Sequence, residues 1–588
     1  MTGMQTIRAH MHRAREESVE GNAAPARAVR AWRVMLFMLL GGLLCAPAAG
    51  AEPAYRALNP RAYLAGVKLT PLNSRPADLN DKVVYIIHAW PANVQSGFET
   101  VIDEVKTALA ARFPRVKIVV KHKESAYSED EPELWADAEK NANLFLYVPA
   151  DSAATTMWSV VWSAGLEKRG LPGTVIYYAT LENNARATAA KVGTPMRLVA
   201  IPDRPENLGK ERRAELAQAI VNAMTAPLAE AEKKTGTLSF EAPPRYAREG
   251  TLSQIEDYFY EQKWTDGLPI VPPTEENVAL MLKGTSHAAA EIVTKSMLPE
   301  GWQVSVEKVA INAVMAGCKP EHMPVLLAAV EAFSKGGYSS TVRSTNSFSF
   351  MQVVNGPIAR EIGMNSGTYA LGPGNRANAA IGRALRLFIY NLGGGQNEVN
   401  LMGTQGNVGA YSFAFAENEA ASPWEPLQVS RGYNKNESTV TIFTGGWSHT
   451  GNMLHQDIKR LARDIAYFQW PSGMIALLSP AAAQELSKQG LSKKNVEEQI
   501  WQNATLTMKE FRNDHYYQRF IIPILKGREM GGRKYRWPAY YLDLPDDARV
   551  PVYPKDDVRV VVVGGEANAM MQGWIMASPS TASVDKWR

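Results

Sequence analysis

The chain has 588 residues, 46% of them apolar and 21% charged, which excludes a disordered polyelectrolyte and allows two or more separate cores. Its 63 basic and 59 acidic side chains leave a formal net charge of +4. So even a balance excludes a nucleic-acid partner as the leading reading.

At the N-terminus, Arg27, Arg30 and Arg33 precede an apolar run from Val34 to Leu44, with Ala46 and Pro47 and then Ala-Gly-Ala at 49–51. That is the pattern of a cleaved signal peptide over residues 1–51. The run falls short of the about 20 residues a membrane helix needs. The expected address is therefore periplasmic or secreted, with no stable membrane span after cleavage. The remaining chain carries 57 basic against 56 acidic side chains. Cys45 leaves with the signal, so Cys318 is the one cysteine left and no internal disulfide is expected.

From Lys82 onward, short β-branched runs alternate with helical stretches. KVVYIIHAW is followed by a helix over Phe98–Phe113, VKIVVKH by a helix over Glu131–Asn141, and NLFLYVPA by a helix over Met157–Arg169. GTVIYYA then precedes a helix over Asn183–Val192, and MRLVAIP a long helix over Lys210–Lys234. Runs apolar on both faces and separated by helices predict a doubly wound, flavodoxin- or Rossmann-like parallel sheet over residues 78–234. Ligands of such sheets bind beyond the carboxyl ends of the strands. The two loops of interest follow the first strand (His88, Trp90, Pro91, Asn93) and the third (Asp151, Ser152, Thr155).

A polar, proline-containing stretch over 235–250 reads as a linker, and residues 251–588 as a larger mixed α/β or α+β domain. It opens with a helix ending near Trp264 and the turn Asp266-Gly267-Leu268-Pro269, after which Thr274 caps a helix. Apolar helices follow over Val306–Gly317 and Met323–Phe333. A Gly- and Asn-rich centre spans Asn355–Gly409, and VRVVVVGG forms a late strand.

The segment 355–395 is the richest in chemistry. Gly372, Gly374 and Ala377 have the spacing of a glycine-rich loop before a helix, whose free backbone N–H groups would attract an anion. Asn355, Asn365, Ser366, Asn375, Arg376 and Asn378 would add side-chain contacts, with Asp266 nearby. A structural turn is the competing reading, since no strand directly precedes the loop. Glu417 and Glu419 are candidate acid and base, against a solvated loop. Cys318 reads as a buried, inert thiol or as a nucleophile with His322 near it. Lys308 is a candidate functional amine within its helix. The histidines show no paired-ligand spacing, His449 and His455 included, so no metal site is expected.

Several stretches together resemble a known family: WTDGLPIVPPTEENV, VEKVAINAVMAGCKPEHMPVLLAAVEA, NSGTYALGPGNRANAAIGRALRL and FAENEAASPWEPL. They resemble the second domain of UGSC-type (seleno)proteins. The domain before them resembles that family's first domain, which is similar to the selenoprotein B component of glycine and betaine reductases. The likeness covers most of residues 80–570. It implies a selenocysteine or cysteine followed by Gly-Ser-Cys, between a strand and a helix that ends in Leu-Glu-x-x-Gly-x-Pro. Counted back from Leu166–Pro172, that tetrad falls on Ser152, Ala153, Ala154 and Thr155. A serine hydroxyl cannot cycle through a disulfide or selenenyl state, so thiol or selenol reduction at this loop is not expected. His88 and Asp151 would complete a Ser-His-Asp set with Ser152, although no nucleophile-elbow motif surrounds it.

The sequence thus predicts an exported protein that binds or transforms a small carboxylated compound, mainly in the second domain and at its border with the first. Asn365, Ser366, Asn375, Arg376 and Asn378 would hold the anion. The alternatives are a non-catalytic binding or accessory protein and a redox protein using Cys318. No cofactor is identified, and a homo-oligomer stays open.

Overall fold

The computed structural model describes residues 53–588 except 65, 93–96, 126, 150–151, 453–457, 468–472, 515–516 and 518–537. The expected signal peptide with Cys45, and also Asn93, Asp151, His455, His515 and the side chain of His449, lie outside the described residues.

Two short strands, β1 (Tyr55–Leu58) and β2 (Gly66–Leu69), precede a five-stranded parallel sheet. Its strands are β3 (Val83–His88), β4 (Lys117–His122), β5 (Leu144–Val148), β6 (Gly173–Tyr178) and β7 (Arg197–Ile201), and they lie in the order β4-β3-β5-β6-β7. Crossover helices join them: α1 (Glu99–Arg112), α2 (Pro132–Asn141), α3 (Ala153–Lys168) and α4 (Glu182–Val192), with α5 (Lys210–Thr225) after the last strand. Alternation along each strand divides the core. Val84, Ile86, Leu144 and Leu146 meet Val101 and Val105 of α1 and Ile220 of α5. Tyr85, Ile87, Phe145 and Tyr147 meet Trp135 of α2, Val160 of α3 and Ala185 of α4. The strand order reverses between β3 and β5, so the two loops singled out from the sequence flank the switch point of the sheet.

The element types match expectation, and two boundaries do not. The helix α3 starts at Ala153, because Ser152 accepts the Thr155 N–H and Thr155 accepts that of Ser152 in a capping box. The predicted helix over 210–234 ends at Thr225, where Pro227 disfavours helical backbone at Ala226 and supplies no N–H. Only a short 3-10 turn follows, at Glu230–Lys233.

The segment expected as a linker forms strands β8 (Gly236–Ser239) and β9 (Tyr246–Gly250), which pair antiparallel with β2 and β1. Residues 55–588 accordingly gather into one compact unit.

Beyond β9 come α6 (Leu252–Glu261), α7 (Glu275–Leu282), capped by Thr274, the hairpin of β10 (Ile292–Met297) and β11 (Trp302–Ser305), α8 (Val306–Met315) and α9 (Met323–Lys335). After β12 (Ser349–Asn355) follow α10 (Pro357–Glu361), α11 (Arg376–Asn391), β13 (Ala414–Ala416) and β14 (Thr439–Asn452). The chain ends with α12 (Ile458–Ala466), β15 (Met474–Leu478), α13 (Pro480–Lys488), α14 (Lys493–Asn503), the pair β16 (Thr505–Thr507) and β17 (Arg549–Pro551), then β18 (Val558–Val562) and β19 (Met570–Ser583).

Six of these strands form a mixed sheet in the order β13-β12-β14-β19-β15-β18. The long strands β14 and β19 bend where Gly445 and Gly446 take φ of 150° and 126° and the register slips. A Cβ on Gly445 would meet the Ile575 carbonyl oxygen at 2.0 Å, so no other residue fits the bend. The sheet therefore folds across itself. Met351, Val353, Phe415 and Phe443 of one half share a core with Ile475, Leu477, Val561 and Met576 of the other. The outer faces pack on two helical layers, α8, α9 and α11 against the first half and α12, α13 and α14 against the second. Among the described residues no helix is long and apolar enough to cross a membrane.

One buried ion pair fixes the edge of the first domain. Glu167 near the end of α3 accepts from Arg75, from the backbone and amide N–H groups of Asn73, and from Gly173 N–H. Both charged side chains are fully buried. Here lies the physical reason for the Glu in the Leu-Glu-x-x-Gly-x-Pro segment: it ties the segment preceding β3 to the start of β6.

Candidate functional site

The helix α11 is capped by Asn375, whose Oδ1 accepts from Asn378 N–H at 2.9 Å. Ile381, Leu385 and Phe388 face the core. Arg383, Arg386 and Tyr390, at spacings of three and four, share another face. Arg383 is fully engaged: it binds Asp266 through Nε at 2.8 Å and Nη2 at 2.9 Å and also donates to the Leu268 and Pro269 carbonyls.

Arg386 differs. Its Nε donates to the Ala410 carbonyl at 3.1 Å, and its guanidinium lies 5.7 Å from the Tyr390 ring. Among the described residues no carboxylate lies in ion-pair range of it, and neither Nη group has a protein partner. Desolvation lowers its pKa, with Tyr390 and Asp266 acting in the opposite sense; a guanidinium stays charged regardless.

Arg386, Tyr390 and Asp266 line a cleft of about 590 Å³. Its walls are the segment Thr341–Phe350 and the loop Asn397–Tyr411. Ser347 joins the two, because its Oγ accepts from Gln405 and Gly406 N–H and its carbonyl from the Asn407 amide. Ser347 and Glu398 both adopt left-handed backbone, with φ of 58° and 65°, a strain that concentrates where function constrains the chain. The first domain touches the second wall and the residue just before the first. Trp158 of α3 donates to Ser340 Oγ at 3.1 Å, and Asn183 of α4 to the Glu398 carbonyl at 3.4 Å.

The predicted anion loop is built differently. Asn378 is buried and staples the loop to itself, donating to the Asn365 and Ala370 carbonyls and accepting from Asn365 N–H. Asn365 closes on Thr368 and Gly367, and Asn375 on Gly363. Arg376 reaches the Gly317 carbonyl, and the Ser366 carbonyl accepts from Gly564 N–H. These side chains hold a turn. Gly374 takes φ of 113° in open space, and Gly372 lies on a second, more apolar cleft of about 550 Å³ beside the ends of β15 and β18.

Glu417 and Glu419 do converge, but on Asn355. Its amide donates to Glu417 at 2.6 Å and to Glu419 at 3.1 Å. Glu417 also accepts from Leu427 N–H and faces Lys493 at 3.6 Å, and Glu419 accepts from Gly356 N–H. Neither lines either cleft. Lys308 donates to the Asn59 carbonyl at 2.6 Å, anchoring the N-terminal arm, and burial lowers its pKa to about 8. Burial pushes the Cys318 thiol up to about 12, outweighing the neighbouring Arg376 and Arg383. A nucleophilic thiolate is thereby disfavoured.

At the switch point of the first sheet, burial lowers the His88 pKa to about 4, helped by His122, which stacks on it at 4.8 Å. Ser152 and Thr155 serve the α3 cap. Asp151, the third member of the Ser-His-Asp set, is outside the described residues. No group of three or more His, Cys, Asp or Glu side chains fit to hold a metal occurs among the described residues.

Sequence reading missed Arg386, Tyr390, Ser347 and Glu398. Its one available signal was the face of α11 bearing Arg383, Arg386 and Tyr390.

Neither the curated proteins nor the solved structures contain a match to this chain. Residues 56–230 match the UGSC family, a span that takes in β1, the whole parallel sheet, its crossover helices and the Arg75–Glu167 pair. The first domain of this chain, residues 56–230, is accordingly a UGSC-family domain.

Proposed function

We propose that this protein is exported and binds a small organic anion in the cleft lined by Arg386. The carrying observation is a guanidinium inside a cleft with both Nη groups unpartnered. This half-buried cation, with no carboxylate in reach among the described residues, presents two free N–H donors to an anionic ligand. The strained backbone at Ser347 and Glu398 supports the same location. Export rests on the arginines and apolar run of residues 27–51. The first domain acts in this reading as a scaffold that touches the second cleft wall and the residue just before the first, without thiol or selenol chemistry, because Ser152 is used as a helix cap.

The test is native mass spectrometry of the protein purified gently and then after dialysis. The expected result is a small anionic compound on the wild type that is absent from Arg386→Gln. An identical bound compound on that variant, at the same occupancy, overturns the reading.

A further inference from the structure

Resting on that reading, we propose that the ligand is a monocarboxylate on an aromatic or similarly flat apolar body, and that the cleft discriminates against dianions and phosphates. Three observations carry this.

The first is the shape of the donor. Nε of Arg386 is held by the Ala410 carbonyl, so the free edge of the guanidinium is the one bearing Nη1 and Nη2. Two parallel donors match the two oxygens of one carboxylate.

The second is the count of charges. Among the described residues Arg386 is the one cation lining the cleft, against two acids, the exposed Glu398 and the buried Asp266, which Arg383 holds in place. A second negative charge on the ligand would meet the Asp266 carboxylate with no cation left to offset it, because both Asp266 oxygens already occupy Arg383.

The third is the wall. Phe348, Phe350, Tyr390 and Tyr411, with Leu401 and Val408, supply flat and apolar surface around the guanidinium. Val408 and Tyr411, 85% and 56% exposed, stand at the open rim, where an entering ring can pack on them. A volume of about 590 Å³ suits a ring-sized body with its carboxylate and some water.

Ligand-observed NMR on the purified protein tests the class, with benzoate, cyclohexanecarboxylate, benzamide, phthalate and phenyl phosphate as probes. Benzoate is expected to bind at least tenfold more tightly than benzamide, phthalate and phenyl phosphate. Arg386→Lys, which keeps the charge and loses the two-donor edge, is expected to weaken benzoate at least fivefold. Tyr411→Ala, at an exposed wall position, should weaken benzoate more than cyclohexanecarboxylate. Arg386→Gln is checked for folding by its melting temperature and for binding by the same probes. Phthalate or phenyl phosphate binding as tightly as benzoate, yet lost in Arg386→Gln, overturns the monocarboxylate class and leaves the cleft assignment standing. Binding of every probe unchanged in a folded Arg386→Gln, or no binding of any probe to the wild type, overturns the class and the cleft together.

Discussion

Replacing Glu167 by Gln tests the account of the first domain most sharply, because it removes one charge at almost constant volume. One Glu167 oxygen accepts from the Asn73 backbone and amide N–H groups, and the other from Arg75 and Gly173. All four partners are donors. Whichever way a glutamine amide turns, its NH2 faces two of them, and the Arg75 guanidinium, fully buried, loses its counter-charge. Breaking a buried pair from one side costs about 3–5 kcal/mol. A surface pair gives the control: Asp81 and Arg115 are 68% and 67% exposed, so solvent screens them and Asp81→Asn should change stability little. Urea unfolding followed by circular dichroism should show the first transition of Glu167→Gln moved down by roughly 1–2 M. A shift no larger than that of Asp81→Asn would refute the role assigned to this pair.

Three further outcomes are expected. Glu417→Gln can keep an oxygen on Asn355 and Leu427 N–H but turns its NH2 toward the Lys493 ammonium and loses the charge that faces it, so it should lose about 1–3 kcal/mol of stability while benzoate affinity stays unchanged; lost affinity without lost stability would restore Glu417 to a binding or acid-base role. His287 bridges Glu291 and the Lys586 carbonyl, each at 2.8 Å. Desolvation opposes its protonation but is outweighed by those two partners, and its pKa lies above the ordinary 6.5. Its contribution is therefore complete below about pH 6.5 and fades as pH rises through the higher folded value. Melting temperature measured from pH 6 to 9 should fall more for the wild type than for His287→Gln, and parallel curves would sink this assignment. Cys318, with its thiol buried and its pKa about 12, should resist iodoacetamide in the native protein at pH 8 and react after unfolding, as read by intact mass; rapid native labelling would reopen a thiol role.

The parallel sheet was readable because each of its strands carries its own signal. A run such as VVYIIH is apolar on both faces only if both faces are covered, and a helix between such runs forces a parallel crossover. Caps are equally local: Thr274 and Asn375 each bond an N–H three residues ahead, so the sequence marks those helix starts. The segments 55–69 and 236–250 carry no comparable signal. Their strands are four or five residues long and are defined only by pairing with each other across some 180 residues of chain.

Local sequence also established a glycine- and asparagine-rich turn, but not its use. Whether Asn365, Asn375 and Asn378 point at a ligand or at their own backbone depends on the path of a dozen residues between them, and that path uses up their donors internally. Arg376, Arg383 and Arg386 look alike in sequence. Only the fold brings Asp266 to the second, leaves the first and third each with a single carbonyl, and puts the third alone of these two in the cleft. By itself the chain determined the strand–helix alternation of the first domain and the Thr274 cap, because these rest on patterns within a few residues. The tertiary structure alone decided which of these arginines lines the cleft without a carboxylate, since that placement is set by loops more than a hundred residues apart closing over one helix.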